Sequence, residues 1–559
     1  MTSPAAPDGW PRTWPYPAST DAVVAGGGMV ATTDRYATEA GVEVLRAGGD
    51  AVDAAVAVTF ALAVVNPEAG NVAGGGFTVI RTADGTVAAL DHRSRAPAAA
   101  TRDMFPASGG GPGGSSELGH LAVAVPGTVM GAWEAHRRFG TLPWSRLVEP
   151  AVELARGFRV EDRLARSFPP HIVDGLGRFP ASAGIFLPGG RPPRVGDTFR
   201  QPDLAGALER IRDLGPDGFY RGETAERILA EVGRGGGVLT AEDLASYEAV
   251  WREPVRFRYR GRTVVSMPPP SSGGVTLAEI AHMLADVPLG ELPWHGPRHV
   301  HLLAETFRRA FADRNRHLAD PDFARMPLET LTSRAYARWR ASDIASDRAT
   351  PSSDVAAGVE ARRWGPHTTH VSVVDGRGNA VSLTTTLNTW YGSKVVAPGT
   401  GILLNNEMDD FAVRPGEPNH FGLVQGDINA IEPGKRPLSA MTPAIVLDED
   451  GGLSMVVGTP GGATIITTVF QVLSNVLDHG MDLGAAVAAP RVHHQHLPDR
   501  IDHEPGGLDA GVVEALQAMG HEVRARDEPY GDVQAIAVRP DGALEGRADP
   551  RRGGVAVGL

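Results

Sequence analysis

The chain has 559 residues, 42% hydrophobic and 21% charged, the balance of a globular protein with a sizeable core. Its net charge of −13 offers no basic footprint for nucleic acid, and its longest apolar run is too short to cross a bilayer. The absence of cysteine excludes disulfide scaffolds, thiolate nucleophiles and cysteine–zinc sites together.

The Pro-rich start carries Trp10, Trp14 and Tyr16 and no apolar stretch of the secretory type, so it reads as an extended arm lying on the body of a cytoplasmic protein. Residues 33–48 place Ala37, Ala40, Gly41 and Val44 on one helical face, with Gly48 as a stop. Residues 51–65 are apolar all round, which predicts a buried helix. A hairpin follows, 77–81 and 87–91 about Ala83-Asp84-Gly85, with Arg93 just past its second strand. Gly74-Gly75-Gly76 before it reads as tight packing rather than a phosphate loop. SGGGPGGSS at 108–116 reads as a mobile low-complexity loop. The pattern from 128 to 345 is mostly helical, interrupted by PPPSSGG at 268–274. Residues 349–366 read as an exposed connector.

At 368 the character changes. Residues 369–374 and 380–387 are β-rich about a turn at 375–379, and 442–447 pairs with 453–457 about Asp450-Gly451-Gly452. An apolar helix at 463–479 opens after Gly461-Gly462. Two hairpins with covering helices imply a layered sheet-and-helix fold.

Three features carry chemistry. A five-residue loop at 375–379 pairs Val374 with Ala380, which sets Thr386 opposite Thr368 at roughly 5 Å and turns Asn388 to the same face. A slip of one residue breaks that pairing, and a half-buried strand of ordinary β-propensity would carry the same threonines. Gly458-Thr-Pro-Gly461-Gly462 before a helix offers free amides to a developing oxyanion, or is a plain strand-to-helix turn. It lacks the Lys-Ser/Thr ending of a P-loop. Residues 411–435, rich in Gly, Pro and Asn, read as a lid or as a loose insertion. His493-His494-Gln495-His496 has no metal-ligand spacing, so a surface or structural role is expected and no metal is assigned.

Together these segments resemble the gamma-glutamyltransferase (glutathione hydrolase) family of N-terminal-nucleophile hydrolases. The likeness runs from about 24 to 554. It rests on MVATTDRYATEAGVEVLRAGGDAVDAAVA at 29–57, LDHRSRAP at 90–97 and TTHVSVVDGRGNAVSLTTTLN at 368–388. GILLNNEMDDF at 401–411, PGKRPLSAMTP at 433–443, GTPGGATIITTV at 458–469 and APRVHHQHLPD at 489–499 follow in the family's order.

The resemblance implies an α+β fold, a four-layer αββα sandwich built by both fragments of a self-cleaving precursor. It implies a cut between His367 and Thr368, leaving residues 1–367 and 368–559 as an intertwined heterodimer. Thr368 is then the nucleophile, its new α-amine, with a pKa near 8, the base, and Thr386 the residue that positions both. Gly461 and Gly462 match the oxyanion hole. Arg93 with Ser439 matches the site for a substrate α-carboxylate, and Asn388, Glu407 and Asp410 the site for its ammonium group. The implied substrate is a small γ-glutamyl compound such as glutathione, and the implied acceptor water or an amine. No cofactor, nucleic acid or membrane partner is implied.

Ala440 stands where the family usually has a second serine, which removes one carboxylate hydrogen bond worth about 1–3 kcal/mol. Phe421 stands where several bacterial members have a lid tyrosine, and Ser94 where many have glutamate. Alternative readings are an acylase of the same mechanism, taking a glutaryl or β-lactam side chain or a biosynthetic amino-acid intermediate, and a non-catalytic binding protein.

Overall fold

The computed structural model describes residues 8–18, 22–105, 115–356 and 368–559. Two seven-stranded sheets lie face to face. One runs in the order Val23–Ala25, Leu544–Ala548, Gln534–Val538, Leu453–Gly458, Ala444–Leu447, Arg262–Ser266, Val255–Tyr259. The other runs Val555–Gly558, Gly28–Thr32, Thr369–Asp375, Ala380–Thr386, Gly75–Arg81, Val87–His92, Val250–Arg252. All pairings within both sheets are antiparallel. Helices cover the two outer faces, which completes an αββα sandwich of the kind the resemblance implied.

The sequence explains the layers. Helix Ala51–Val65 is buried along its whole length and lies against the strands Thr369–Asp375 and Ala380–Thr386. Asp50 caps it, accepting from the Val52 and Asp53 amides at 2.9 Å each. Helix Arg35–Arg46 opens on Asp34 and stacks on it through the face that carries Ala37, Ala40, Gly41 and Val44. On the far side, helices Gly273–Met283 and Thr464–Leu477 cover the other sheet. The three glycines at 74–76 are close-packing residues. A Cβ on Gly74 would lie 2.0 Å from the Thr386 carbonyl oxygen, and one on Gly75 would lie 2.4 Å from the Ser94 amide.

Two expectations need correction. The stretch 128–345 is not only helical, because Val250–Arg252, Val255–Tyr259 and Arg262–Ser266 finish one edge of each sheet. Val255–Tyr259 is an outer strand, and its VRFRY alternation buries Phe257 and Tyr259 while Arg256 and Arg258 are exposed. The connector is anchored where it begins: Ser352 is buried and donates to His496 O and Asp499 Oδ2. The remainder of it, 357–367, and most of the glycine-rich loop, 106–114, lie outside the described residues. Of the two roles expected for the histidines at 493, 494 and 496 the structural one holds: each is 1% exposed and holds the chain from inside. The N-terminal arm does lie on the body. Trp10 stacks on Trp294 with ring centroids 5.6 Å apart, and Trp14 Nε1 donates to Ala488 O at 2.9 Å.

Candidate active site

The hairpin Thr369–Asp375 and Ala380–Thr386 occupies the middle of its sheet, and its turn fixes the register. Asp375 Oδ1 accepts from the Arg377 and Asn379 amides, while Oδ2 accepts from Asn379 Nδ2 at 2.6 Å and from Ala51 N at 3.2 Å. Val374 pairs with Ala380 and Thr369 with Thr385. One step further, the Thr368 hydroxyl donates to Thr386 Oγ1 at 3.4 Å. Thr386 Oγ1 also accepts from the Asn388 amide at 2.9 Å. Both threonines are buried.

The glycine loop comes from the other sheet. It follows strand Leu453–Gly458 and opens helix Thr464–Leu477. Gly461 has φ +143° and Gly462 φ +56°, a backbone that side chains rarely adopt. A Cβ on Gly462 would lie 2.4 Å from the Phe421 ring. Gly461 O accepts from Thr464 Oγ1 at 2.8 Å. Among the described residues the Gly461 and Gly462 amides have no hydrogen-bond acceptor.

Arg93 sits in a buried ion-pair cluster. Nη1 donates to Glu407 Oε2 at 2.7 Å, Nη2 to Asp410 Oδ2, and Nε to Pro437 O at 3.3 Å. Burial opposes the guanidinium charge, but Glu407 and Asp410 outweigh it and hold the Arg93 pKa above its ordinary value. Burial pushes Glu407 up to about 7, with Arg93 pulling it down and Asp410 adding to the rise. Asp410 is raised by burial as well, against the pull of Arg93.

A cleft of about 320 Å³, counted with its open mouth, joins these parts. Thr368, Thr386, Asn388, Asp410, Ser439 and Gly462 line it; Arg93, Glu407 and Gly461 are not among the lining residues. His367 lies outside the described residues. The 411–435 segment is packed, with Phe411, Phe421, Leu423 and Ile431 buried, and Phe421 forms part of the cleft wall. Gln495 Nε2 holds it by donating to Phe421 O at 3.3 Å and to Gly422 O at 3.1 Å.

Ala440, which replaces the family's second serine, stands in the cleft wall next to Ser439. Arg314 also lines the cleft, and the sequence carries no signal that marks it. It lies in PRHVHLLAETFRRAFADRNRH, where several arginines look alike, and only tertiary packing singles it out. For metal, the described residues bring together His301, Glu305 and His521. Their ligating atoms are already engaged: His301 Nδ1 lies 2.8 Å from His521 Nε2, and Glu305 binds Arg309 and the Thr350 amide.

The family model for gamma-glutamyltranspeptidase matches residues 37–559. The glutathione hydrolase proenzyme of Escherichia coli (strain K12) is 47% identical over 526 residues, 94% of this chain and 90% of that protein. That of Pseudomonas aeruginosa is 47% identical over 543 residues, 95% of this chain and 94% of that one. The crystal structure of cephalosporin acylase from Bacillus halodurans matches with a TM-score of 0.83 at 28% identity, covering 100% of this chain and 99% of the other. With relatives this similar along more than nine-tenths of its length, and a fold that agrees throughout, the chain belongs to the gamma-glutamyltranspeptidase family.

Proposed function

We propose that the protein is a self-cleaving γ-glutamyl hydrolase and transferase that acts on glutathione or a related small γ-glutamyl compound. One observation carries the reading: the Thr368 hydroxyl lies 3.4 Å from Thr386 Oγ1, in a cleft also lined by Gly462. The precursor cuts between His367 and Thr368. The Thr368 hydroxyl adds to the His367 carbonyl, the peptide C–N bond breaks, and water hydrolyses the resulting ester. Residues 1–367 and 368–559 stay together as a heterodimer.

The freed α-amine, with a pKa near 8, takes the hydroxyl proton as Oγ1 attacks the γ-carbonyl of the donor. Thr386 orients both groups. The oxyanion rests on the Gly461 and Gly462 amides, the proton passes to the leaving amine, and the C–N bond breaks. A γ-glutamyl ester of Thr368 remains, and water or an acceptor amine resolves it by the reverse sequence.

Intact mass spectrometry after exposure to γ-glutamyl-p-nitroanilide tests this. The expected result is two chains, the smaller beginning at Thr368 and carrying one γ-glutamyl group. Thr368→Ala is expected to give one uncut, inert chain. A single uncut chain from active wild type would overturn the reading.

Ala440 in the cleft wall, together with the likeness to a cephalosporin acylase, favours a second reading in which the donor is a glutaryl amide. Preference for a glutaryl over a γ-glutamyl anilide would select it.

A further inference from the structure

The tip of the 411–435 segment is a small hairpin that walls the cleft. Pro418 and Val424 bridge, and Asn419 Oδ1 accepts from the Phe421 amide at 3.0 Å and from the Leu423 amide at 3.2 Å. The Phe421 ring lines the cleft and lies against Gly462. Two sets of contacts hold this tip. One is Gln495, bound to the Phe421 and Gly422 carbonyls.

The other set meets at His420, the neighbour of Phe421. The His420 amide donates to Asp409 Oδ2 at 3.1 Å, and His420 Nδ1 lies 3.1 Å from Glu117 Oε2. Asp409 Oδ1 accepts from Ser116 Oγ at 2.6 Å, and the Glu117 carbonyl accepts from Asn406 Nδ2 at 2.8 Å. The tip, residues 116–117 and the turn Glu407–Asp410 are thereby joined through two carboxylates and one imidazole.

The two sets differ in charge. The Gln495 set is neutral, and the His493 behind it has a pKa lowered by burial to about 3. At His420 burial opposes the charge, but Glu117 and Asp409 outweigh burial and the nearby Lys394 and hold the pKa above its ordinary value. His420 in turn holds Glu117 below the usual glutamate range. Burial raises Asp409 to about 6 against the pull of His420. Asp410 and the exposed His171, on helix Pro170–Gly177, feel the same imidazolium. Asp409 and His420 are therefore charged together from about pH 6 up to the raised His420 pKa. Above that value the charge pair with Glu117 is lost.

We propose that His420 is a positioning residue, a latch whose protonated ring pairs with Glu117 to keep Phe421 closed over the glycine loop and whose deprotonation frees the lid tip. The inference rests on the γ-glutamyl reading for what the cleft holds, and adds how access to it varies with pH.

Wild type, His420→Gln and Glu117→Gln are compared at pH 6.5 and 9. Hydrogen exchange of the 416–425 amides, corrected for the intrinsic effect of pH, reports the tip directly. In wild type it is expected to quicken by about three- to tenfold from pH 6.5 to 9, the range of a half-exposed charged pair. Both variants should exchange at the fast rate at either pH. Lys394, whose pKa burial lowers to about 8 with Glu117 opposing, still titrates in His420→Gln, which isolates the histidine. With γ-glutamyl-p-nitroanilide, KM of each variant relative to wild type should be about three- to tenfold higher at pH 6.5 and near one at pH 9, with kcat changed less than about twofold. Taking the ratio at each pH cancels the titration of the catalytic amine.

Wild-type exchange that does not change with pH, or a KM ratio equal at both pH values, would overturn the latch, since a merely structural contact acts alike at both. Glu117 is half exposed, so Glu117→Gln decides the matter even if His420→Gln fails to fold. A wild type that shows the expected exchange but turns over no γ-glutamyl anilide would remove the γ-glutamyl reading and leave the latch.

Discussion

At the scale of single residues, the site depends on backbone conformation as much as on side chains. Gly462 has positive φ and faces the Phe421 ring, so no Cβ fits there without moving the lid. Gly462→Ala is expected to lower kcat by about 10²- to 10³-fold through misplacement of an oxyanion donor. Steady-state rates on a γ-glutamyl anilide check this, and a variant within tenfold of wild type would take the loop out of that role. His370, two residues past Thr368, is buried between the sheets. Its Nδ1 lies 2.8 Å from Thr384 Oγ1 and its Nε2 3.2 Å from Ser372 Oγ. Burial lowers its pKa to about 3. Between about pH 6.5 and 3 the unfolded chain binds a proton here that the folded chain refuses, so the stability this histidine contributes is full above about 6.5 and shrinks as pH falls. The stability gap between wild type and His370→Gln should narrow by up to about 1.4 kcal/mol per pH unit across that window. Urea unfolding at pH 7.5, 6 and 5 measures it, and a constant gap would contradict it.

At the scale of elements, the histidine-rich segment connects lid and glycine loop. Gln495, which holds the lid carbonyls, has its Oε1 2.9 Å from His493 Nε2, and His493 Nδ1 lies 2.8 Å from Thr467 Oγ1. Thr467 donates to Thr464 O at 3.1 Å, and Thr464 donates to Gly461 O. Burial lowers the His493 pKa to about 3, so this path contains a neutral imidazole. Gln495→Ala removes two hydrogen bonds to the lid, each worth about 1 kcal/mol, so KM for the donor should rise about tenfold. Limited proteolysis within 411–435 should quicken in parallel; an unchanged digestion rate would show that Gln495 does not hold the lid.

At the scale of the whole molecule, the proposed cut lies next to a strand at the centre of a sheet. Thr369–Asp375 pairs with Gly28–Thr32 on one side and with Ala380–Thr386 on the other, and Ala380–Thr386 pairs in turn with Gly75–Arg81. Separating the fragments would therefore open ladders on both sides of the hairpin and expose helix Ala51–Val65, buried along its length. Cleaved protein should elute from gel filtration as one species near the 58.8 kDa of the chain and divide only in denaturant. Two species in native buffer would contradict this.

What the sequence by itself determined was local. The turn at 375–379 and the parity of the strands that follow it set Thr386 opposite Thr368, because hairpin register is decided within a few residues. The all-apolar run at 51–65 and the glycine pair before 463 were legible for the same reason. Tertiary structure alone decided the partners. Arg93 meets Glu407 and Asp410 across more than 300 residues of chain, and the three strands within 250–266 find places in two different sheets. Arg314, one of several arginines in its helix, stands apart only because folding buries it in the cleft wall with Thr368. Whether a charge is paired depends on what the rest of the chain brings within a few ångströms, and no local pattern encodes that distance.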